Sequence, residues 1–322
     1  MKRIVRSVTI LILIFALLPL ESRAAELLIP VGRVIGLQLQ DDTLTVAAYD
    51  DALGACAREA GLKIGDEILK VDAVPVESVA DVKAAIARCG SRVCLTVRRG
   101  KQVSDLEITP TQTDLGPRLG IYLRQGIAGV GTVTFYDPSS GLFGTLGHGV
   151  NDAKGQLLAM KEGCAYTAEV LSVRKGRCGE PGQLKGNADT ATTLGRLLKN
   201  TPQGVFGITN IPWQGEAIPT ADYGDIRPGQ AAIRSNVQGN AVREYSVEIL
   251  KIYPCDRTDG RNFLIKVTDP ALLSATGGIV QGMSGSPIIQ DGKLVGAVTH
   301  VLVNDPTRGY GIFIENMLEA AG

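Results

Sequence analysis

Histidine is scarce in this sequence, with two residues in 322, and this scarcity limits the metal chemistry open to the chain. None of the six cysteines forms a Cys-x-x-Cys pair, so the usual zinc-ligand spacings are absent. We therefore expect no metal site and no cofactor. The cysteines are divided three and three between the two halves of the chain, which leaves one unpaired in each half unless a disulfide joins the halves.

An excess of either charge is also lacking, because 33 Lys and Arg residues balance 33 Asp and Glu residues. A chain without net charge has no global field that draws it to nucleic acid or to anionic lipid. Neither is expected as a partner.

Long apolar runs are nearly absent. The one at the N-terminus, Val8 to Leu20, follows three basic residues and has 13 residues, against about 20 for a membrane-spanning helix. Small residues at Ser22 and Ala24 suit a signal peptidase. Residues 1–24 are predicted to be a signal peptide cleaved after Ala24, or else a retained N-terminal anchor, and the remainder is expected to be soluble and exported across the cytoplasmic membrane.

Residues 27–110 have the size and pattern of a small α+β module. A helix is predicted from Ser78 to Ala87, with Ser78 as the N-cap and Asp81 at the third position. The glycine-punctuated run from Ala60 to Asp72 resembles the PDZ domain. That resemblance implies that Ile35, Gly36 and Leu37 form the loop whose backbone amides hold a peptide carboxylate. A packing domain without a ligand is the alternative.

Residues 115–322 are rich in glycine, valine, isoleucine and threonine in short runs such as Gly131 to Phe135 and Lys293 to Val298. Short strands with frequent turns favour two packed barrels or a sandwich over a parallel α/β sheet. Few helices are expected here, at residues 190–198, 270–274 and 315–320. The predicted fold class is therefore mainly β.

The motif Gly282-Met283-Ser284-Gly285-Ser286-Pro287 has the form Gly-x-Ser-Gly-x-Pro that surrounds trypsin-like nucleophiles. Glycines beside Ser284 allow a tight turn with positive φ that pushes the hydroxyl outward. The same turn directs the amides of Gly282 and Ser284 at a developing oxyanion. Ser286 is the alternative serine, but it precedes a proline and suits the entry to a strand. A glycine-rich hairpin without catalytic function would give the same pattern.

A serine nucleophile needs a base, and the chain offers His148 and His300. His148 lies between glycines in Gly147-His148-Gly149, which lets substrate and backbone approach closely. His300 ends an apolar strand, a setting typical of a packed histidine. His148 is therefore the predicted base.

The carboxylate that would orient His148 is not determined by the residue pattern alone. Asp269 has a competing interpretation, because Asp269-Pro270-Ala271 is a good N-cap followed by proline at the first helical position. Seven aspartates lie between the base and the nucleophile: Asp152, Asp189, Asp222, Asp225, Asp256, Asp259 and Asp269.

Three segments, Gly129 to Gly149, Lys266 to Asp269 and Thr276 to Pro287, resemble the stage IV sporulation protein B (SpoIVB) peptidase family. The resemblance implies an N-terminal α+β PDZ domain followed by a trypsin-like double β-barrel protease domain. It assigns His148 as base, Asp269 as orienting carboxylate and Ser284 as nucleophile. Asp269 precedes Ser284 by only 15 positions, whereas ordinary trypsin-like enzymes place this acid much nearer the histidine.

The family resemblance also implies a function. Relatives are exported serine endopeptidases that cleave themselves and a membrane-bound regulator in the space between forespore and mother cell. This activates an intramembrane protease that processes a sporulation sigma factor. The partners would be protein or peptide substrates, with self-association through self-cleavage.

Two other functions remain open. In one, the barrels are a degenerate scaffold and the chain is a non-catalytic, PDZ-containing peptide-binding regulator. In the other, it is an exported serine hydrolase for small esters. The PDZ-like module disfavours this function, because a domain that binds peptide C-termini would not help an enzyme to bind small esters.

Overall fold

The structure is a computed structural model that describes residues 26–152, 155–255, 257 and 259–322. The predicted signal segment, residues 1–24, lies outside the described residues. None of the helices in the described ranges is both long and apolar enough to cross a membrane.

The described chain is mainly β, as predicted. Its strands are, in order, β1 (Leu27–Pro30), β2 (Val34–Tyr49), β3 (Glu67–Val71), β4 (Val74–Pro75), β5 (Val93–Arg99), β6 (Gln102–Ile108), β7 (Thr111–Thr113), β8 (Gly116–Arg118), β9 (Ile121–Tyr136), β10 (Leu142–Thr145), β11 (Glu162–Arg174), β12 (Gln183–Thr201), β13 (Gly204–Ile208), β14 (Ile218–Pro219), β15 (Gly229–Ser235), β16 (Arg243–Ile252), β17 (Phe263–Val267), β18 (Pro287–Gln290), β19 (Lys293–Leu302) and β20 (Asp305–Phe313). The helices are α1 (Ala55–Glu59), α2 (Val79–Arg88), α3 (Pro270–Thr276) and α4 (Ile314–Ala321), with a 3₁₀ turn at Tyr223–Asp225.

Two antiparallel barrels account for most of these strands. The first is the ring β2-β9-β10-β13-β12-β11, closed by pairing of β11 with β2. The second is the closed barrel β15-β16-β17-β20-β19-β18. Alternating apolar residues fill each interior, as in β17, whose Phe263, Ile265 and Val267 are fully buried. The double β-barrel prediction is confirmed.

The α+β module is built on extensions of two strands of the first barrel. Residues 44–49 of β2 pair with residues 121–125 of β9, and β3, β5 and β6 continue from β2 as a sheet. Its core combines Leu44, Ile68, Val82, Leu95 and Leu119 with others. The module therefore extends past the predicted end at residue 110 to the first part of β9.

Three of the predicted helices are present. Ser78 caps α2 through a complete capping box with Asp81, and the short helices near residues 270 and 315 are α3 and α4. The helix predicted for residues 190–198 is wrong. This segment lies in β12, where it is hydrogen-bonded to β11 on one side and β13 on the other. Pairing on both edges outweighs a weak helical period.

The last helix, α4, joins the two barrels. Its Ile314 and Met317 are fully buried in a cluster with Phe135 and Phe206 of the first barrel and Leu294 of the second. This shared core fixes the two barrels against each other. All six cysteines are unpaired.

Candidate active site

The serine of the Gly-x-Ser-Gly motif lies at the junction of the barrels, in the loop between α3 and β18. A strand of the first barrel holds this loop. Thr132 of β9 donates its backbone N–H to the Ser284 carbonyl (3.0 Å) and its hydroxyl to the Gly282 carbonyl (2.8 Å). The hydroxyl of Thr134 donates to the Gly285 carbonyl (2.8 Å). Three carbonyls of the loop are thus turned toward β9.

Two glycines allow this turn. Gly282 and Gly285 have φ values of 100° and 95°, in the region that glycine adopts without strain. A Cβ at Gly285 would lie 2.0 Å from the Thr132 carbonyl oxygen and 2.5 Å from the Leu146 nitrogen. Within the described residues, the N–H groups of Gly282 and Ser284 donate to no acceptor. They are therefore available to a ligand oxygen, as an oxyanion hole requires.

Of the two serines in the motif, only Ser284 is accessible. Ser286 is fully buried, and its hydroxyl has no partner among the described residues. Ser284 is half-buried and donates its hydroxyl to the Thr299 carbonyl, with an Oγ–O distance of 2.9 Å. The prediction that Ser284 rather than Ser286 faces a substrate therefore agrees with the exposure of the two side chains.

His148, the predicted base, follows β10 of the first barrel after a strained turn. Leu146 is buried with a φ of 69°, an uncommon conformation for a bulky side chain. Its N–H donates to the Thr132 carbonyl (3.3 Å), the residue that also holds the serine loop. Such strain is maintained only where the surroundings enforce it, often at functional sites. The turn carries His148 to the barrel junction.

A backbone carbonyl defines the tautomer of His148. The Nδ1 atom lies 2.9 Å from the Gly149 carbonyl oxygen, and because a carbonyl can only accept, Nδ1 carries the proton. Burial of the ring lowers the pKa of His148 from its ordinary value. The neutral ring therefore has a free Nε2 lone pair, the state a general base needs.

His300, predicted to be a packed strand-end histidine, lies beside the base instead. The centroids of the two imidazole rings are 5.5 Å apart. Burial, then the charges of His148 and Arg261, lowers the pKa of His300 to about 4, so His300 is neutral at pH 7. Its buried Nδ1 has no hydrogen-bond partner in the described part of the chain. The sequence carried no local signal for this contact, because His148 follows a strand of the first barrel and His300 lies in a strand of the second.

The structure does not bring Asp269 to His148. One carboxylate oxygen of Asp269 accepts from the Leu272 N–H (2.9 Å) and the other from the Ser246 N–H (3.4 Å). Asp269 therefore caps α3, the competing interpretation of its sequence, and its assignment as the orienting carboxylate stays a prediction that this arrangement does not support. Because helix α3 needs an N-cap here, the carboxylate is held away from the base.

None of the other described aspartates bonds to His148 either. The charge of Asp259 raises the pKa of the neighbouring His300, but the Asp259 carboxylate pairs with Arg257 at 2.6 Å. Asp256 lies outside the described residues. Ser284 and His148 share no hydrogen bond, so the site is in a resting arrangement in which the Thr299 carbonyl holds the nucleophile.

The PDZ assignment also needs a correction. Ile35, Gly36 and Leu37 are not a ligand-binding loop, because they lie in β2 and pair with β9 on one side and β11 on the other. Ile35 and Leu37 are buried in the core of the first barrel. Backbone groups used in two ladders have no N–H to offer a carboxylate.

A groove of PDZ type is found elsewhere in the module. It has a volume of about 700 Å³ and lies between α2 and the start of β9. Its lining includes Val82 and Ile86 of α2 and the turn Leu119-Gly120-Ile121. The outer edge of β9 at residues 121–123 pairs with no other strand of the described chain. Leu119-Gly120-Ile121 has the same apolar-Gly-apolar pattern as Ile35-Gly36-Leu37, so the sequence pattern could not distinguish them.

The described residues contain no cluster of three or more His, Cys, Asp or Glu side chains that could hold a metal ion.

Comparisons with known proteins agree with this architecture. The family model for SpoIVB peptidase S55 matches residues 116–318, and the PDZ domain model matches residues 34–109. An Agrobacterium fabrum protein, named as a candidate zinc metalloprotease (Atu1380), is 29% identical over 119 residues, which are 37% of this chain and 29% of that protein. The chain thus spans less than a third of that relative.

Two solved structures are similar to parts of the chain. The PDZ domain of the SdrC-like protein from Listeria monocytogenes has 22% identity and a TM-score of 0.23, covering 27% of this chain and 92% of that one. The inactive form of the Rv3671c protease has 12% identity and a TM-score of 0.34, covering 61% of this chain and 85% of that one.

The S55 family model covers more than half of the chain, including the His148 turn and the Ser284 loop. The chain therefore belongs to the SpoIVB peptidase S55 family.

Proposed function

We propose that this chain is an exported serine endopeptidase in which Ser284 attacks the peptide bond and His148 transfers the proton. The observation that carries the proposal is the barrel junction, where the serine loop and the His148 turn are both hydrogen-bonded to Thr132. One residue of β9 thereby sets the position of nucleophile and base together.

The chemical step is acyl transfer. Ser284 Oγ bonds to the scissile carbonyl carbon while its proton passes to His148 Nε2, and the amides of Gly282 and Ser284 stabilise the oxyanion. His148 then gives the proton to the leaving amine. Water, deprotonated by the same imidazole, releases the acyl group as a carboxylic acid and restores the serine.

A substrate strand has a place to bind beside the nucleophile. The ladder of β18 with β19 ends near Val298, whose N–H donates to Ser286. Residues 299–301 of β19 are then paired only with β20 among the described strands. Because the Thr299 carbonyl faces Ser284, an antiparallel substrate strand on this edge would bring its scissile bond to the hydroxyl.

The same carbonyl explains the resting arrangement. A substrate N–H that binds the Thr299 carbonyl would compete with the Ser284 hydroxyl and release it toward His148. Substrate binding then completes the contact between nucleophile and base, which is often long in unliganded sites.

The PDZ module gives the protease a second peptide-binding site. A peptide C-terminus would add as a strand to the free edge of β9 and insert its last side chain between Val82 and Ile86. The positive side chains of Lys83 and Arg118 line the same groove and favour a carboxylate ligand.

By resemblance to the SpoIVB family, the physiological substrates are the chain itself and a membrane-bound regulator. We infer that cleavage activates an intramembrane protease that processes a sigma factor. The site would be the space between forespore and mother cell, reached by export or by a retained anchor at residues 1–24. Deletion of the coding gene is expected to block sporulation, and normal spores would contradict this role.

The test compares purified residues 25–322, wild type and Ser284→Ala, with Ser286→Ala as the matched control. Wild type and Ser286→Ala should cleave themselves over time and react with a fluorophosphonate probe, while Ser284→Ala should do neither. Labelling of Ser284→Ala would mean that another residue is the nucleophile. If all three folded proteins remain unlabelled and intact, a non-catalytic, PDZ-containing regulator would replace the protease.

A further inference from the structure

The segment between β16 and β17 packs directly on the active site. The hydroxyl of Thr299 donates to the Gly260 carbonyl (2.6 Å), and a Cβ at Gly260 would lie 3.3 Å from the Gly147 carbonyl oxygen and 3.9 Å from His300 Cε1. The backbone at residue 260 therefore touches the His148 turn, the nucleophile's acceptor and His300 together.

This segment and the neighbouring strands β16 and β20 carry an aromatic and cationic surface. The rings of Tyr253 and Tyr310 are 6.4 Å apart. Lys251 and Arg257 lie over Tyr253, at 4.8 and 5.1 Å from the ring centroid, and Arg261 lies over Tyr310 at 5.4 Å. We call these five residues the basic aromatic rim.

Two cations of the basic aromatic rim, Arg261 and Lys251, form no ion pair among the described residues. Arg257 is neutralised by Asp259 at 2.6 Å. Arg261 is exposed, and within the described residues it forms no salt bridge. The positive charge of Arg261 nevertheless acts on the active site, because it helps to lower the pKa of His300. A second exposed cation, Lys251, is also without an ion pair in this part of the chain.

Strand geometry relates the rim to a bound substrate. His300 pairs directly with Tyr310 across β19 and β20, so their side chains share one face of the sheet. In the antiparallel substrate proposed above, the residue immediately before the scissile bond donates its N–H to the Thr299 carbonyl. The second residue before the scissile bond then lies opposite His300. Side chains of a strand alternate between its two faces. The second and fourth residues before the scissile bond therefore lie on the same face as His300 and Tyr310.

Building on the proposed peptidase function, we propose that Arg261, with Tyr310 and His300, forms a subsite that selects an acidic side chain two or four residues before the scissile bond. The unpaired guanidinium supplies the charge and a planar donor set for a carboxylate. Tyr310 holds the guanidinium by stacking, and the neutral His300 bounds the subsite on the side of the base.

The test uses two peptides that differ only in Glu or Gln at both positions, with wild type, Arg261→Gln and the control Arg227→Gln. Arg227 is also exposed, and its backbone N–H donates to the side chain of Gln290, which lies at the opposite end of β18 from the Ser284 loop. Wild type and Arg227→Gln should cleave the Glu peptide about fivefold faster in kcat/KM at low salt, the range of an exposed ion pair. Arg261→Gln should cleave both peptides equally, and high salt should reduce the wild-type preference.

A second measurement separates this subsite from the proposed function. Affinities of both peptides are measured by fluorescence anisotropy on Ser284→Ala, alone and combined with Arg261→Gln. A Glu preference that disappears with Arg261→Gln supports the subsite even if no cleavage is seen, in which case the peptidase proposal alone fails. Equal cleavage and binding of the two peptides by proteins with intact Arg261, or a Glu preference that survives Arg261→Gln, overturns the subsite.

Discussion

A carbonyl and burial hold His148 in the state that the proposed base needs, and no carboxylate among the described residues is hydrogen-bonded to its ring. The Gly149 carbonyl fixes the proton on Nδ1, and desolvation keeps the ring neutral. A carbonyl accepts the same hydrogen bond as an aspartate but gives less stabilisation to the imidazolium formed during attack.

The two histidines predict an acid-sensitive fold. Both have a folded-state pKa below the ordinary value, about 4 for His300, so the unfolded chain takes up protons first as the pH falls. The free energy of unfolding should therefore decrease between pH 6.5 and 4. Urea denaturation of His300→Gln should show a decrease smaller by about 1–2 kcal/mol, after allowance for partial solvent exposure. An identical pH dependence in both proteins would contradict the buried neutral state of His300.

The role of Asp269 can be separated into capping and catalysis. Asn caps a helix about as well as Asp, whereas Ala costs about 1 kcal/mol. Asp269→Asn should therefore keep its stability and retain kcat/KM within about threefold, while Asp269→Ala should unfold at lower urea concentration. A thousandfold loss of kcat in a stable Asp269→Asn protein would instead mean that the carboxylate reaches His148 during turnover.

At the scale of the elements, strand β9 has the central position. Its first residues border the PDZ groove, its middle residues close the first barrel, and Thr132 and Thr134 hold the serine loop. A single strand of 16 residues therefore connects the peptide-binding edge with the nucleophile.

Replacing Thr132 with Val tests this strand. The isosteric change removes the hydroxyl that binds the Gly282 carbonyl and leaves a partly buried acceptor unpaired, at a cost of about 1 kcal/mol. Because Gly282 also supplies an oxyanion N–H, kcat should fall by about tenfold with a smaller change in KM. Thr96→Val, which removes an exposed hydroxyl in β5 that binds Asp105, should leave both constants unchanged. Equal kcat values for the two variants would argue against a role for Thr132 in placing the loop.

At the scale of the whole molecule, the PDZ module is not structurally separate from the first barrel, because strands β2 and β9 belong to both. Its core is completed only when β2 and β9 pair beyond the barrel, because Leu119 lies directly before β9 and Ile121 and Leu123 lie in it. The barrel likewise depends on residues 34–39, which precede the module.

This interdependence predicts how fragments behave. Residues 41–125 contain the complete module core and should give a dispersed amide spectrum and cooperative thermal unfolding. Residues 27–110 lack the β9 strand and carry apolar residues of β2 that belong in the barrel, so they should be largely unfolded or aggregated. Equal folding of the two fragments would mean that the pairing of β2 with β9 is dispensable for the module.

The sequence by itself determined the mainly β class, the capped helix α2, and the serine and histidine motifs, because each depends on local periodicity or on a few adjacent residues. Only the tertiary structure decided between equal patterns. It placed Ile35-Gly36-Leu37 in a barrel and Leu119-Gly120-Ile121 at a groove, made residues 190–198 a strand, used Asp269 as a cap, and brought His300 to the base. In each case the outcome depends on a partner distant in sequence, and strand pairing and burial between distant segments leave no local trace in the chain.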